Sequence, residues 1–218
     1  MKNRSRMMIM MLLLTDLVLC AMCIGSFLAM ALSRDADGRL SAAGLRSLKY
    51  FTVDSNIICG LAALFEAVSL VPVYLGKRED TAVWIRWFRL AGTSSVAMTF
   101  FVVMSFLGPT MGYRYMFVGH SLYMHLLSPV LAVVSFLLFR LAGGLERKRF
   151  YLGSLPLAIY AVYYVYGVLS AGRKMDWYGF AAWGPVWIAP VFIIILFISC
   201  GLSFLLVRFG GGGKDYSS

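Results

Sequence analysis

Charged residues are scarce in this chain. Asp, Glu, Lys and Arg make up 14% of its 218 residues, whereas 61% are hydrophobic. A soluble domain carries about 25% charged residues. The shortage of charge therefore excludes an ordinary soluble domain and predicts an integral membrane protein.

Residues and motifs that bind metals or cofactors are also sparse. The chain has two His and four Cys residues, and it contains no HExxH, P-loop or GxSxG motif. His120 and His125 are five residues apart, about 140° around a helix, and do not form a two-histidine face. The cysteines all lie in apolar runs and are interpreted as buried small hydrophobes; they are Cys20, Cys23, Cys59 and Cys200. We therefore predict no metal and no cofactor.

Six apolar runs are long enough for the ~20 residues that a membrane-spanning helix requires. They cover about 7–32, 50–75, 87–108, 120–142, 151–172 and 185–208. Because lipid leaves no backbone group unpaired and the runs lack alternation, each is predicted to be a helix. The prediction is an all-α, polytopic membrane protein, with one six-helix bundle over residues 1–209 and a flexible tail at 210–218.

The net charge of +10 comes from basic residues at the ends of the runs rather than on one face. This placement is typical of membrane topology and argues against binding of nucleic acid. With the N-terminus inside, 13 of the 20 Lys and Arg residues fall on the inner side and seven on the outer side. The positive-inside rule then predicts that both termini are cytoplasmic.

A threonine and a histidine are predicted to lie at matching depth in the membrane. Thr52 is two residues past the predicted start of the second run, and His125 is five past the start of the fourth. At ~1.5 Å per residue, the two differ by only a few ångströms in depth near the outer interface. A hydroxyl nucleophile and an imidazole base suffice for ester chemistry. The alternative is hydrogen bonding between helices.

Other polar and aromatic residues follow these two along the chain. Asn56 and Ser128 are the first and second candidates for stabilising an oxyanion, with Ser55 as further polar support. Candidates for lining a lipid-like substrate are the aromatic residues Tyr160, Tyr164, Trp177 and Tyr178, which an interfacial aromatic belt would also explain. Asp16 and Glu66 are carboxyl groups within the spans, for which structural pairing is favoured over an ion path.

Three segments resemble, in the same order, motifs of the androgen-induced-gene (Pr6Pr-type) family of six-span membrane proteins and its bacterial members. They are YFTVDSN at 50–56, HLLSPVLA at 125–132, and SLPLAIY at 154–160 followed by Gly167 and WYGF at 177–180. The chain departs from the family at Gly179, where Pro is frequent. The resemblance covers about residues 50 to 180.

The resemblance implies a threonine nucleophile and a histidine base, here Thr52 and His125, and an ester of a fatty acid as substrate. Human members hydrolyse fatty-acid esters of hydroxy fatty acids. The expected activity is hydrolysis of lipid-like fatty-acyl esters by a protein of the bacterial inner (plasma) membrane. Two alternatives stay open: a non-catalytic small transporter or lipid-binding protein, and an acyltransferase that uses the same site.

Overall fold

A computed structural model describes residues 6–32, 44–141, 143–182 and 184–211. Within these ranges there is no strand, and six helices are long and apolar enough to cross a membrane. They are α1 (Arg6–Leu32), α2 (Phe51–Tyr74), α3 (Val83–Met111), α4 (His120–Leu138), α5 (Arg147–Met175) and α6 (Pro185–Gly210). The predicted all-α six-helix membrane bundle is confirmed. The predicted tail from residue 212 onward, and most of the first loop, lie outside the described residues.

Several helix boundaries differ by three or four residues from the prediction, including both ends of α5, which runs from Arg147 to Met175 rather than from about 151 to 172. α3 begins at Val83 rather than near 87, because Arg86 is part of the helix and is paired with Asp80. α4 ends at Leu138 rather than near 142. Arg140 takes a left-handed conformation with φ 51°, and the amide of Leu141 donates to the carbonyl of Phe136 over 3.0 Å. This arrangement closes a helix end and turns the chain away.

α3 is the central helix of the bundle. Its most apolar stretch is 56% buried, against 28% for α1 and for α6. Close packing against α2 depends on Gly92, where an added Cβ would lie 2.8 Å from the Cα of Cys59. Small residues at such contacts let helix backbones approach in lipid, where packing rather than water drives association.

Two π-helical turns interrupt the membrane helices, at Val103–Leu107 in α3 and at Tyr123–Leu127 in α4. Each is followed within two residues by a proline, Pro109 and Pro129. Proline lacks an amide hydrogen, and its ring clashes with the carbonyl four residues earlier, which for Pro129 is that of His125. A wider turn relieves this clash, and such turns are frequent at functional sites.

The bundle has two ends, which we name by the helices that start there. α2, α4 and α6 begin at the upper end, and α1, α3 and α5 begin at the lower end. Aromatic rings pack at the upper end around the segment that joins α5 to α6. Neighbouring centroids in this aromatic cluster lie between 5.0 and 6.3 Å apart. Its members are Phe51, Tyr160, Tyr163, Tyr164, Trp177, Tyr178 and Phe180.

Candidate functional site

A cavity of about 360 Å³ opens at the upper end of the bundle, and both Thr52 and His125 line it. The wall also includes Tyr178, from the segment between α5 and α6, and Met116, from the connection between α3 and α4. The other lining residues are Met30, Tyr50, Val53, Leu107, Met111, Arg114, Tyr115, Val118, Gly119, His120, Ser121 and Met124. The two residues predicted at matching depth therefore share one cavity.

His125 is held in a defined tautomer. Its Nδ1 lies 2.8 Å from the backbone carbonyl oxygen of Met116. A carbonyl can only accept, so Nδ1 carries the hydrogen and Nε2 of the neutral ring keeps its lone pair. The residue is buried, with 9% of its surface exposed. The structure thus leaves Nε2 of His125 as the nitrogen able to accept a proton.

Thr52 is the second residue of α2, in the first turn, where backbone N–H groups need partners from outside the helix. No side chain of Tyr50, the residue before the helix, caps this end. The positive end of the helix dipole lies here and favours negative charge on nearby oxygens. The position therefore suits an atom that becomes anionic, such as an alkoxide or the oxygen of a tetrahedral intermediate.

Tyr178 caps the start of α2 from a distant part of the chain. Its phenol oxygen accepts the backbone N–H of Phe51 over 2.8 Å and also interacts with the backbone and the side chain of Thr52. Burial raises the pKa of Tyr178 well above its usual range. The phenol therefore stays protonated at neutral pH and can donate its hydrogen.

Hydrogen bonds behind Tyr178 fix the segment that carries it. The hydroxyl of Tyr164 donates to Oδ1 of Asp176 over 2.6 Å and accepts the backbone N–H of Tyr178 over 3.2 Å. The backbone N–H of Ala181 donates to Oδ2 of the same carboxylate over 3.0 Å. Asp176 therefore holds the segment between α5 and α6 in a fixed turn and positions the phenol of Tyr178.

The residues predicted to stabilise an oxyanion do not line the cavity. The amide nitrogen of Asn56 donates to the carbonyl oxygens of Thr52, at 2.8 Å, and Met124, at 3.2 Å. Both of its hydrogens are thereby used, one within α2 and one to join α2 to α4. The hydroxyl of Ser55 bonds to the carbonyl of Thr52 and to Thr99. Ser128 is fully buried beside Cys23.

The π turn explains why Ser128 leaves the cavity. In a regular α-helix, Ser121, His125 and Ser128 would share one face. The wide turn at Tyr123–Leu127 adds residues to one turn and rotates the helix after it. Ser121 and His125 then face the cavity, whereas Ser128 does not line it.

Of the four aromatic residues predicted to line a substrate, only Tyr178 lines this cavity. Trp177 and Tyr164 lie behind it, with ring centroids 5.0 Å apart. The hydroxyl of Tyr160 donates to the carbonyl of Lys49 over 2.8 Å and accepts the indole N–H of Trp177 over 3.0 Å. These rings form a supporting layer because their polar ends are already paired.

Two apolar spaces adjoin the other side of this layer. A slot of about 30 Å³ shares Thr52, Leu107 and Tyr178 with the cavity and continues along Met98 and Phe192. A groove of about 710 Å³ between α2, α3 and α5 faces the lipid side and includes Asp54 and Tyr160. Asp54 does not line the cavity. It therefore does not orient His125, which agrees with its position about 200° around α2 from Thr52.

Several contributors to the site gave no signal in the sequence. The carbonyl of Met116, which sets the tautomer of His125, is a backbone group of a connection. Arg114 and His120 line the cavity but have no motif that marks them.

Comparison with family models, with curated proteins and with solved structures gave no significant match.

Proposed function

We propose that this protein is an intramembrane hydrolase of lipid-like fatty-acyl esters, with Thr52 as nucleophile and His125 as base. One observation carries the proposal. His125 shares a cavity with Thr52, and its bond to the Met116 carbonyl leaves Nε2 free to accept a proton. A threonine hydroxyl is a weak nucleophile until a base of this kind removes its proton.

The reaction proceeds through an acyl-enzyme. Nε2 of His125 takes the hydroxyl proton while Oγ1 of Thr52 attacks the ester carbonyl carbon. The tetrahedral oxyanion is stabilised by the phenol of Tyr178 and by the positive end of α2. The leaving alkoxide takes the proton from His125. Water then attacks the acyl-threonine with His125 again as base. As the acyl–oxygen bond breaks, His125 returns the proton to Oγ1 of Thr52, and the acid leaves.

Tyr178 replaces Asn56, Ser128 and Ser55 as the proposed oxyanion donor. A phenol keeps its hydrogen at neutral pH, and burial raises the pKa of Tyr178 further, whereas both amide hydrogens of Asn56 are bound to carbonyls. The slot beside Thr52 is lined almost entirely by apolar side chains and suits methylene groups of an acyl chain. These features support membership of the androgen-induced-gene family, with membrane lipid or a fatty-acyl ester as substrate.

We further propose that the upper end faces outward from the plasma membrane of a bacterium and that both termini are cytoplasmic. The bias in basic residues supports this orientation. Arg89 does not belong in that count, since it is completely buried within the bundle. Without Arg89, 12 basic residues lie on the inner side and seven on the outer side, so the bias remains.

A fluorophosphonate probe tests the nucleophile. The wild-type protein in detergent should be labelled, and mass spectrometry should place the label on Thr52. Thr52→Ala should lose labelling and lower ester turnover by about 10³-fold or more, whereas Thr52→Ser should retain both because it keeps the hydroxyl. Thr110→Ala is the matched control, since Thr110 lies at the same end and binds only the carbonyls of its own helix.

His125→Ala should lower turnover by about 10²- to 10⁴-fold, the usual contribution of a general base. The double variant with Thr52→Ala should lose no more than the single one, because the two residues act as a unit. Parental turnover by Thr52→Ala would refute Thr52 as the nucleophile, whereas binding of the ester by the wild type without turnover would show a non-catalytic lipid-binding site. Transfer of the acyl group to an added alcohol in preference to water would identify an acyltransferase.

A further inference from the structure

A second polar centre lies deep in the bundle, away from the cavity. The guanidinium of Arg89 is completely buried, and so are Asp16 and Glu66, at 0% and 1% exposure. Its Nε donates to Oε2 of Glu66 over 3.0 Å, and its Nη2 donates to Oδ1 of Asp16 over 3.2 Å. One guanidinium on α3 thus joins carboxyl groups of α1 and α2.

All five N–H groups of Arg89 are used. Besides the two carboxyl oxygens, Nη2 donates to the hydroxyl of Ser135 over 3.0 Å. Nη1 donates to the hydroxyl of Thr93 over 3.3 Å and to the sulfur of Cys59 over 3.8 Å. A guanidinium has five such hydrogens in a fixed fork. Arg89 has none left for a further oxygen.

Oδ2 of Asp16 is left without a hydrogen-bond partner although it is buried. The nearby hydroxyl of Ser135 donates to the carbonyl of Ala132 over 3.1 Å and is also committed. An ionised carboxylate oxygen with no donor is strongly disfavoured in an apolar interior. A proton on this carboxyl group removes the charge.

The formal charges of the centre lead to the same conclusion. One guanidinium and two carboxylates sum to −1, and a net charge buried among membrane helices is costly. Among the described residues, the other titratable groups that interact with Asp16 and Arg89 are thiols, Cys20 and Cys23 on α1 and Cys59 on α2. α3 and α4 add the hydroxyls of Thr93 and Ser135. None of these supplies a second positive charge.

We propose that Asp16, Glu66 and Arg89 form a buried proton-binding site, in which the two carboxyl groups share one proton at neutral pH. A metal cation fits less well, because hard cations require several oxygen ligands. Among the described residues, no group of three or more His, Cys, Asp or Glu side chains could hold a metal. Thr52 and Glu66 are 14 positions apart on α2, about 21 Å. The site is therefore separate from the ester chemistry.

Infrared spectroscopy of the full-length protein in lipid vesicles tests this directly. At neutral pH the wild type should show the carbonyl-stretch band of a protonated carboxyl group, and the band should shift in D₂O. Combined with Asp54→Asn, Asp16→Asn and Glu66→Gln should each abolish the whole band, because the single remaining carboxylate neutralises Arg89. Arg89→Gln should roughly double it, because both carboxyl groups then need a proton.

Asp54→Asn is the matched control, since Asp54 is a carboxyl group of α2 that faces the groove instead. It should leave the band from the buried centre in place. Absence of a protonated-carboxyl band in the wild type overturns the proposal even if the variants do not fold. So does a band that survives when Asp16→Asn or Glu66→Gln is combined with Asp54→Asn, or carboxylate bands that shift with sodium concentration.

Discussion

The substitution Tyr178→Phe separates the catalytic role proposed for this phenol from its structural one. It removes one oxygen and leaves the ring, which packs against Tyr164 with centroids 5.7 Å apart. The backbone N–H of Phe51 loses its acceptor, and the oxyanion loses its side-chain donor. Both effects follow from the same missing atom but appear in different measurements.

The structural effect is modest, because one buried N–H is left without an acceptor. Such a group costs about 1–3 kcal/mol of stability. The catalytic effect is larger, since loss of one oxyanion donor lowers kcat by about 10²- to 10³-fold. KM should change little, because the donor acts on charge that develops only in the transition state.

Tyr160→Phe is the matched control for this substitution. It removes a phenol of the same layer that binds Trp177 and the carbonyl of Lys49. Tyr160 lines the slot but not the cavity, and the substitution keeps its ring. Its stability loss should be similar, at about 1–3 kcal/mol, but kcat should stay near the parental value. Hydrolysis of a p-nitrophenyl acyl ester in detergent gives kcat and KM, and thermal unfolding gives the stability. Equal kcat values for the two variants would refute Tyr178 as the oxyanion donor.

Two further predictions concern pH and topology. Burial raises the pKa of Tyr178 in the folded protein. As pH rises, the phenol therefore ionises in the unfolded chain before it ionises in the folded one, near pH ~10. The stability that the phenol contributes is complete below that pH and is lost as pH rises further. The fall in Tm above pH ~10 should therefore be smaller in Tyr178→Phe, and an unchanged fall would contradict the assignment. For topology, an impermeant maleimide added to intact cells should label Tyr115→Cys at the upper end and not Glu79→Cys at the lower end. The reverse pattern would place the cavity on the cytoplasmic side.

The sequence predicted the fold because apolar length is a direct measure of what can cross a membrane. It predicted a common depth for Thr52 and His125, which both line one cavity, because two helices that enter from the same end place early residues at the same depth. The start of α3 was wrong because Arg86 was treated as part of a loop. Arg89 was treated as a topological charge, although it is the residue that pairs Asp16 with Glu66.

The role of oxyanion donor predicted for Asn56 is not supported by the structure, for a reason that residue types do not reveal. Its type and spacing are those of an oxyanion donor, but its hydrogens are bound to two carbonyls. Carbonyl positions depend on how α2 and α4 pack, and residue types do not reveal that. The same holds for Met116, whose contribution is a backbone oxygen, and for Tyr178, which reaches α2 from 127 positions away.

The π turn divides α4 into two parts whose side chains point in directions that do not follow the regular spacing of a single α-helix. The part before Tyr123–Leu127 presents residues to the cavity, and the part after it presents Ala132, Ser135 and Phe136 to the core. Removal of one residue within the turn would restore the regular phase and rotate the first part by about 100° relative to the second. His125 would leave the cavity while every core contact below it stayed in place. The length of this turn, rather than its residue types, decides which residues reach Thr52.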